Sequence, residues 1–317
     1  METVLEMVTG RFTGHTVFQE AIGYKNRFSG SDMIPVGSDL SIIQWENRYL
    51  YYANSFPYET YDYSAQALQL RKVQYAVQSR RVLAESDLPP SQYRYKTEPH
   101  WTTQAAFEVY LSLLEWMGRQ PDSSYDFAFY TERNNYNQTM YEESFSGQLG
   151  QLVGIPYAGY NDFMLIQPCF ETSFTLDYSK LSLLPQVQGD FASVLLEQHW
   201  MNTDNPYERN LYSMYLTSVD SFRQILNDSN PNGPKVLLTG DTYMLPVATF
   251  LATAASDLCL LWPYSVPDMD KDADNLVEYI ERNDFDYVVI GMSPGSLYGG
   301  AFNFLEGIDT TALGALN

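Results

Sequence analysis

The clearest pattern lies in the last third of the chain, where apolar runs of strand length alternate with stretches of helical spacing. Lys235-Val236-Leu237-Leu238 is a short apolar run that leads into Gly240-Asp241-Thr242. A helix is predicted from about Tyr243 to Ala255, with Pro246 in its first turn, where a missing amide breaks no helical bond. Asp257-Leu258-Cys259-Leu260-Leu261-Trp262 predicts a second strand, Asn275–Asn283 a second helix, and Asp286-Tyr287-Val288-Val289-Ile290 a third strand. A β-α-β-α-β order indicates an α/β chain with a parallel sheet covered by helices. Such sheets place ligands at the carboxyl ends of their strands. Thr242 is predicted to lie at one of those ends.

Earlier in the chain, Phe107, Leu111 and Leu114 recur at helical spacing and predict a helix over Thr102–Met117, capped by Thr102 or Thr103. Tyr63 to about Ala84 also favours a helix by composition. Pro89-Pro90 then forces an extended connection. Between Met1 and Asn54 the pattern is of short β-like stretches among glycines, Ser41–Trp45 and Arg48–Tyr52 being the clearest. Residues 1–54 read as a peripheral β segment packed on a main domain of residues 55–317. In the middle third, Ser146–Gly150 reads as a glycine-rich turn, Glu171–Leu176 as a strand, Asn210–Leu226 as a helix and Asn227–Pro234 as a loop.

Composition narrows the function classes. A 45% apolar content without a run of membrane-spanning length is that of a globular chain. The net charge of -21 argues against a phosphate-backbone partner, which needs a cationic footprint, and against anionic lipid. Cys169 and Cys259 both lie among apolar neighbours and are expected to be buried free thiols. The 26 tyrosines and 5 tryptophans supply many aromatic faces of the kind that suit sugar rings.

Two short motifs carry the chemistry: Thr97-Glu98-Pro99-His100-Trp101-Thr102, and Thr239-Gly240-Asp241-Thr242-Tyr243. The first puts a carboxylate two residues before a histidine, and the second puts a hydroxyl where a strand ends and a helix begins. Together they supply an orienter, a base and a hydroxyl nucleophile. The plainer alternatives are that Asp241 or Thr242 only caps the helix and that His100 is a surface histidine. The choice of base is narrow, because the other histidines are His15, in a weakly patterned segment, and His199, at a helical end. The acidic run Asp268–Asp274 lacks the turn glycine and the final glutamate of a calcium loop, so no metal site is expected there. No phosphate loop or dinucleotide fingerprint is present either, and no cofactor is expected.

These residues resemble the SGNH-type esterase and acetyltransferase superfamily, in particular the DHHW-motif proteins and the alginate O-acetyltransferase-like branch. Glu98-Pro99-His100-Trp101-Thr102 is similar to that branch's Asp-x-His-Trp-Thr, and Gly240-Asp241-Thr242 to its Gly-Asp-Ser. Trp45–Tyr52 and Phe145–Gly150 are similar to two further blocks. The resemblance implies a three-layer α/β/α sandwich with a mostly parallel sheet. It implies an extracytoplasmic or cell-surface carbohydrate O-acetyltransferase or acetylesterase, with an export segment expected ahead of Met1. Thr242 would be the nucleophile, His100 the base and Glu98 its orienter. Gly147, Asp241, Trp101 and Tyr243 would serve the oxyanion or the substrate. The implied partners are a secreted or cell-surface polysaccharide and a membrane protein that donates acetyl groups. Glu98 stands where those proteins have aspartate, and Thr242 where they have serine. This leaves two readings, a retuned enzyme or a non-catalytic relative that binds a polysaccharide in the same cleft.

Overall fold

The computed structural model of the 317-residue chain describes residues 16–21, 76–77, 83, 85–120, 123–177, 186–216, 222–261 and 276–292. Among them are strands β1 (Thr16–Ala21), β2 (Ala76–Val77), β3 (Tyr136–Phe145), β4 (Asn161–Pro168), β5 (Phe174–Asp177), β6 (Val187–Gly189), β7 (Phe222–Asn227), β8 (Lys235–Gly240), β9 (Asp257–Leu261) and β10 (Tyr287–Met292). The α-helices are α1 (Thr103–Gly118), α2 (Ala128–Thr131), α3 (Gln148–Val153), α4 (Ile155–Ala158), α5 (Phe191–Val194), α6 (Leu245–Ala254) and α7 (Leu276–Arg282). The architecture is mixed α/β. Two compact units divide the chain: Met1–Val82, Leu237–Asp241 and Leu261–Asn317 form the first, Leu83–Val236 and Thr242–Leu260 the second.

In the first unit the strand order is β2-β1-β10-β8. β1 runs parallel to β10, from Thr16 against Tyr287 to Ala21 against Met292, and parallel to β2. Tyr287-Val288-Val289-Ile290 is an apolar, β-branched run that fits a strand covered on both faces, and Val288 and Val289 are fully buried. Where β8 ends, the Asp241 amide donates to the Gly291 carbonyl at 3.1 Å.

In the second unit the order is β9-β7-β5-β6, with β5 antiparallel to both β6 and β7. β3 and β4 form a separate antiparallel ribbon. Its register shifts between Tyr141 and Phe145, where Glu143 adopts a φ of 44°. The core is built on α1 and α6. Phe107 meets Phe250 edge to face at 5.1 Å, and the Tyr110 hydroxyl bonds Tyr136 at 2.8 Å and Thr253 at 3.1 Å. Burial pushes the Tyr136 hydroxyl up to about 12, so this cluster stays protonated and hydrogen-bonded at ordinary pH. α6 is apolar on every side and buried throughout, its Thr249 and Thr253 hydroxyls donating to the helix's own Leu245 and Phe250 carbonyls.

Thr102 caps α1, accepting from the Ala105 amide at 3.1 Å while its hydroxyl donates to the Gln92 carbonyl. A Thr102→Ala substitution should destabilise the fold by about 1 kcal/mol, read as a lower urea midpoint at unchanged slope. An unaltered midpoint would show that the cap carries no stability.

The β8, α6, β9, α7 and β10 elements fall where the apolar pattern predicts them. Other expectations are corrected. Asn210–Leu226 is not a helix: a 3-10 turn at Leu211–Met214 precedes β7. Pairing of β7 with β5, Phe174 against Asn227, satisfies its backbone and overrides the local helix preference. Ala76 and Val77, inside the helix expected over Tyr63–Ala84, are a strand on β1. Where a mostly parallel sheet is expected, the strand pairing is mixed: β1 runs parallel to β10 and β2, and β5 antiparallel to β6 and β7. Cys259 is buried in β9 as expected, but Cys169 follows the end of β4 and is exposed. Ser41–Trp45, Arg48–Tyr52 and the acidic run Asp268–Asp274 lie outside the described residues. Among the described residues no helix is long and apolar enough to cross a membrane.

Candidate functional site

The segment before α1 is fixed by one buried side chain. The Asn161 carbonyl oxygen, at the start of β4, accepts from the amides of Lys96 at 2.8 Å and Thr97 at 3.1 Å. Its amide nitrogen donates to Thr97 Oγ1 at 2.6 Å. Thr97 Oγ1 also takes the Gly147 amide at 3.0 Å, and the Thr97 carbonyl takes those of Leu149 and Gly150. Asn161 is buried, so its amide is tied to these partners rather than to water. These bonds hold Glu98 still between β4 and α3.

Glu98 is itself buried. One of its oxygens accepts from the Gln148 amide, the first residue of α3, at 3.0 Å. The other lies 2.5 Å from His100 Nδ1. On the far edge of the ring, His100 Nε2 is 2.8 Å from Thr242 Oγ1. A carboxylate only accepts, so with Glu98 ionised Nδ1 carries the ring proton and Nε2 is left to accept from the Thr242 hydroxyl. Thr242 opens the 3-10 turn Thr242–Met244 that feeds α6, two residues after β8 ends. Thr242 is half-buried and the His100 side chain 13% exposed, so the pair is reachable from solvent. The ring stacks on Tyr212 at 3.9 Å and 11°, and Tyr243 leans on it at 4.6 Å. Glu98, His100, Thr242, Tyr212 and Tyr243 all belong to the second unit.

The other residues expected at the site fall differently. Trp101 is fully buried, edge-on to Tyr243 at 5.9 Å, and is part of the core rather than a substrate contact. Tyr243 is buried too, and its hydroxyl donates to the Pro99 carbonyl at 2.6 Å, which ties the His100 segment to the turn after Thr242. The Gly147 amide is engaged by Thr97 Oγ1 and is not an open oxyanion donor. Gly147 instead permits a close approach, since a Cβ there would lie 2.5 Å from the Glu98 Cβ and would also overlap the Thr97 carbonyl. Asp241 is half-buried at the end of β8 in the first unit. His199 sits in an exposed turn, 3.5 Å from Glu197, and His15 lies outside the described residues. Among the described residues no group of three or more His, Cys, Asp or Glu could hold a metal ion.

Sequence reasoning missed Asn161, Tyr212 and Gln148. Tyr212 is one tyrosine among 26, in a stretch read as helix, and no local pattern marks it. Gln148 acts through its backbone, which leaves no side-chain signal at all.

No protein-family model matches the sequence, and no curated protein matches it. Solved structures do. PatB1 of Bacillus cereus superposes with a TM-score of 0.57 at 16% identity, over 92% of this chain and 87% of PatB1. The same protein with a sulfonyl adduct gives 0.56 at 15%, over 90% and 84%. A DHHW family protein from Eubacterium siraeum gives 0.55 at 15%, over 92% and 82%. The chain shares the fold of these proteins. The likeness to DHHW-motif proteins first read from short motifs is thus met again in the backbone, at an identity that speaks for the fold alone.

Proposed function

We propose that the chain is an extracytoplasmic carbohydrate O-acetyltransferase or acetylesterase, built on an SGNH-type α/β/α sandwich. Thr242 Oγ1 attacks the ester carbonyl while His100 Nε2 removes the hydroxyl proton. Glu98 keeps the other ring proton on Nδ1 and stabilises the imidazolium that forms. The tetrahedral oxyanion is held by backbone donors at the strand-to-helix turn, with the Thr242 amide as the first of them. The imidazolium then returns its proton to the departing alcohol, leaving an acetyl group on Thr242. In the second half, His100 Nε2 deprotonates an acceptor hydroxyl, from a sugar or from water. The acceptor oxygen takes the acetyl group, the bond to Thr242 Oγ1 breaks, and the imidazolium returns its proton to Thr242 Oγ1. A secreted or cell-surface polysaccharide is the proposed acceptor.

The observation that supports this reading most is the pair of hydrogen bonds on His100, with a carboxylate on one nitrogen and a hydroxyl on the other. The hydroxyl belongs to a threonine, whose β-methyl restricts χ1 and crowds the approach to an acyl carbon. Thr242→Ser removes that methyl and keeps the hydroxyl. Its acetyl-ester turnover should equal or exceed the wild type by up to roughly tenfold. A serine variant that is silent beside an equally silent wild type would instead favour a protein that binds the polysaccharide without turning it over.

A further inference from the structure

We infer that Tyr212 is a positioning residue for the proposed reaction, one side chain that fixes both the ring of His100 and the backbone of Thr242. This rests on the triad reading above. The Tyr212 ring lies parallel to the imidazole, with centroids 3.9 Å apart and planes 11° apart. Its hydroxyl donates to the Thr242 carbonyl at 2.8 Å. The base and the nucleophile stand 142 residues apart in sequence, and this tyrosine touches both.

The turn that carries Tyr212 is held at both ends. Before it, Asn210 caps the turn, accepting from the Ser213 amide and donating to Ser213 Oγ at 2.7 Å. After it, fully buried Tyr215 donates to the Ile166 carbonyl at 3.0 Å and accepts from the Ile166 amide at 2.8 Å. Burial raises the Tyr215 hydroxyl far above its ordinary value, which keeps it a donor. The Glu197 amide donates to Met214 and the Leu216 amide to Leu195. A ring mounted on such a turn has a fixed plane and can impose that plane on its neighbour.

The imposition matters because a histidine's outer torsion is broad. Glu98 aims Nδ1 and Thr242 meets Nε2, but two in-plane hydrogen bonds at opposite edges leave the ring free to tilt about the line that joins them. Stacking removes that freedom and keeps Nε2 on Thr242 Oγ1. When the ring becomes an imidazolium, the tyrosine face also meets a cation, an interaction absent before proton transfer. Tyr212 is only 4% exposed and its hydroxyl is spent on a carbonyl, so it acts through His100 and Thr242 rather than on the substrate.

The test uses Tyr212→Phe, which keeps the stack and loses the hydroxyl, and Tyr212→Leu, which loses both. Two readouts are taken on each purified full chain: kcat and KM on an acetyl ester, and the imidazole proton and nitrogen resonances. The spectrum is simple because the chain has 3 histidines, and His100→Ala assigns the signal. We expect Tyr212→Phe to lower kcat by about threefold to tenfold, and Tyr212→Leu by about 10²-fold at a KM within roughly twofold. The hydrogen-bonded Nδ1 proton of His100 should persist in the Phe variant and broaden or vanish in the Leu variant. A Leu variant with wild-type kcat or an undisturbed His100 signal would overturn the inference. If the Leu variant does not fold, a Phe variant identical to wild type in both readouts does so. A wild type without turnover refutes the triad reading instead, and the resonances alone then decide whether Tyr212 fixes the ring.

Discussion

Alanine at either His100 or Thr242 is expected to lower acetyl-ester kcat by about 10³-fold to 10⁴-fold, with the double variant little worse than either single one. The near-equality follows from the geometry. A Thr242 hydroxyl without a base is a weak nucleophile, and a His100 without the hydroxyl has no proton to take. The two atoms are 2.8 Å apart and act as one unit. Thr242→Ala should fold as the wild type does, since Thr242 is half-buried, whereas His100→Ala leaves one oxygen of the buried Glu98 without its partner and should lower the urea midpoint as well. Steady-state kinetics on an acetyl ester checks the prediction, with circular dichroism as the control. Turnover indifferent to both changes would remove the proposed mechanism, and losses that multiply in the double variant would show that the residues act separately.

The second large effect is expected at a residue that touches no substrate. Gly147→Ala should lower kcat by about 10²-fold and destabilise the fold by about 1–3 kcal/mol. The added methyl would meet the Thr97 carbonyl and the Glu98 Cβ, and backbone at that point cannot give way cheaply. Relief requires α3 to move off the Thr97–Glu98 segment. The Gln148 amide then leaves the Glu98 carboxylate, and the Gly147 amide leaves Thr97 Oγ1. Glu98 would gain freedom, and with it the tautomer and aim of His100. Kinetics and urea unfolding measure the two losses together. A Gly147→Ala protein with normal kcat would show that Glu98 is placed independently of α3.

Much of the second half of the fold was legible because its elements are long, apolar and separated by clear turns. β8, α6, β9, α7 and β10 all fall where the apolar runs lie, and α1 begins at a threonine that caps it. The reading failed where pairing, not periodicity, decides. Phe222–Asn227 has the composition of a helix end but is held as a strand by β5, which lies far back in sequence. Ala76 and Val77 are likewise strand because β1 pairs with them. The site shows the same division. Glu98 and His100 sit two residues apart in one motif, and Thr242 sits at a strand-to-helix junction, so side-chain chemistry and local pattern both point to them. Trp101 and Tyr243 were expected on the substrate side because they flank the motifs, yet both are buried. Aromatic side chains beside a catalytic motif are as well suited to hold it as to line it. Asn161 and Tyr212 reach the site from other parts of the second unit, and nothing in their own segments marks the destination.

The central claim is that Thr242 carries the acyl group. Mixing the purified protein with an acetyl ester, quenching in acid and mapping the peptides by mass spectrometry tests it most directly. The account predicts one added acetyl group on the peptide that contains Thr242, absent from Thr242→Ala and from His100→Ala. Turnover with no acetyl on that peptide, or an acetyl group elsewhere that survives in Thr242→Ala, would contradict it.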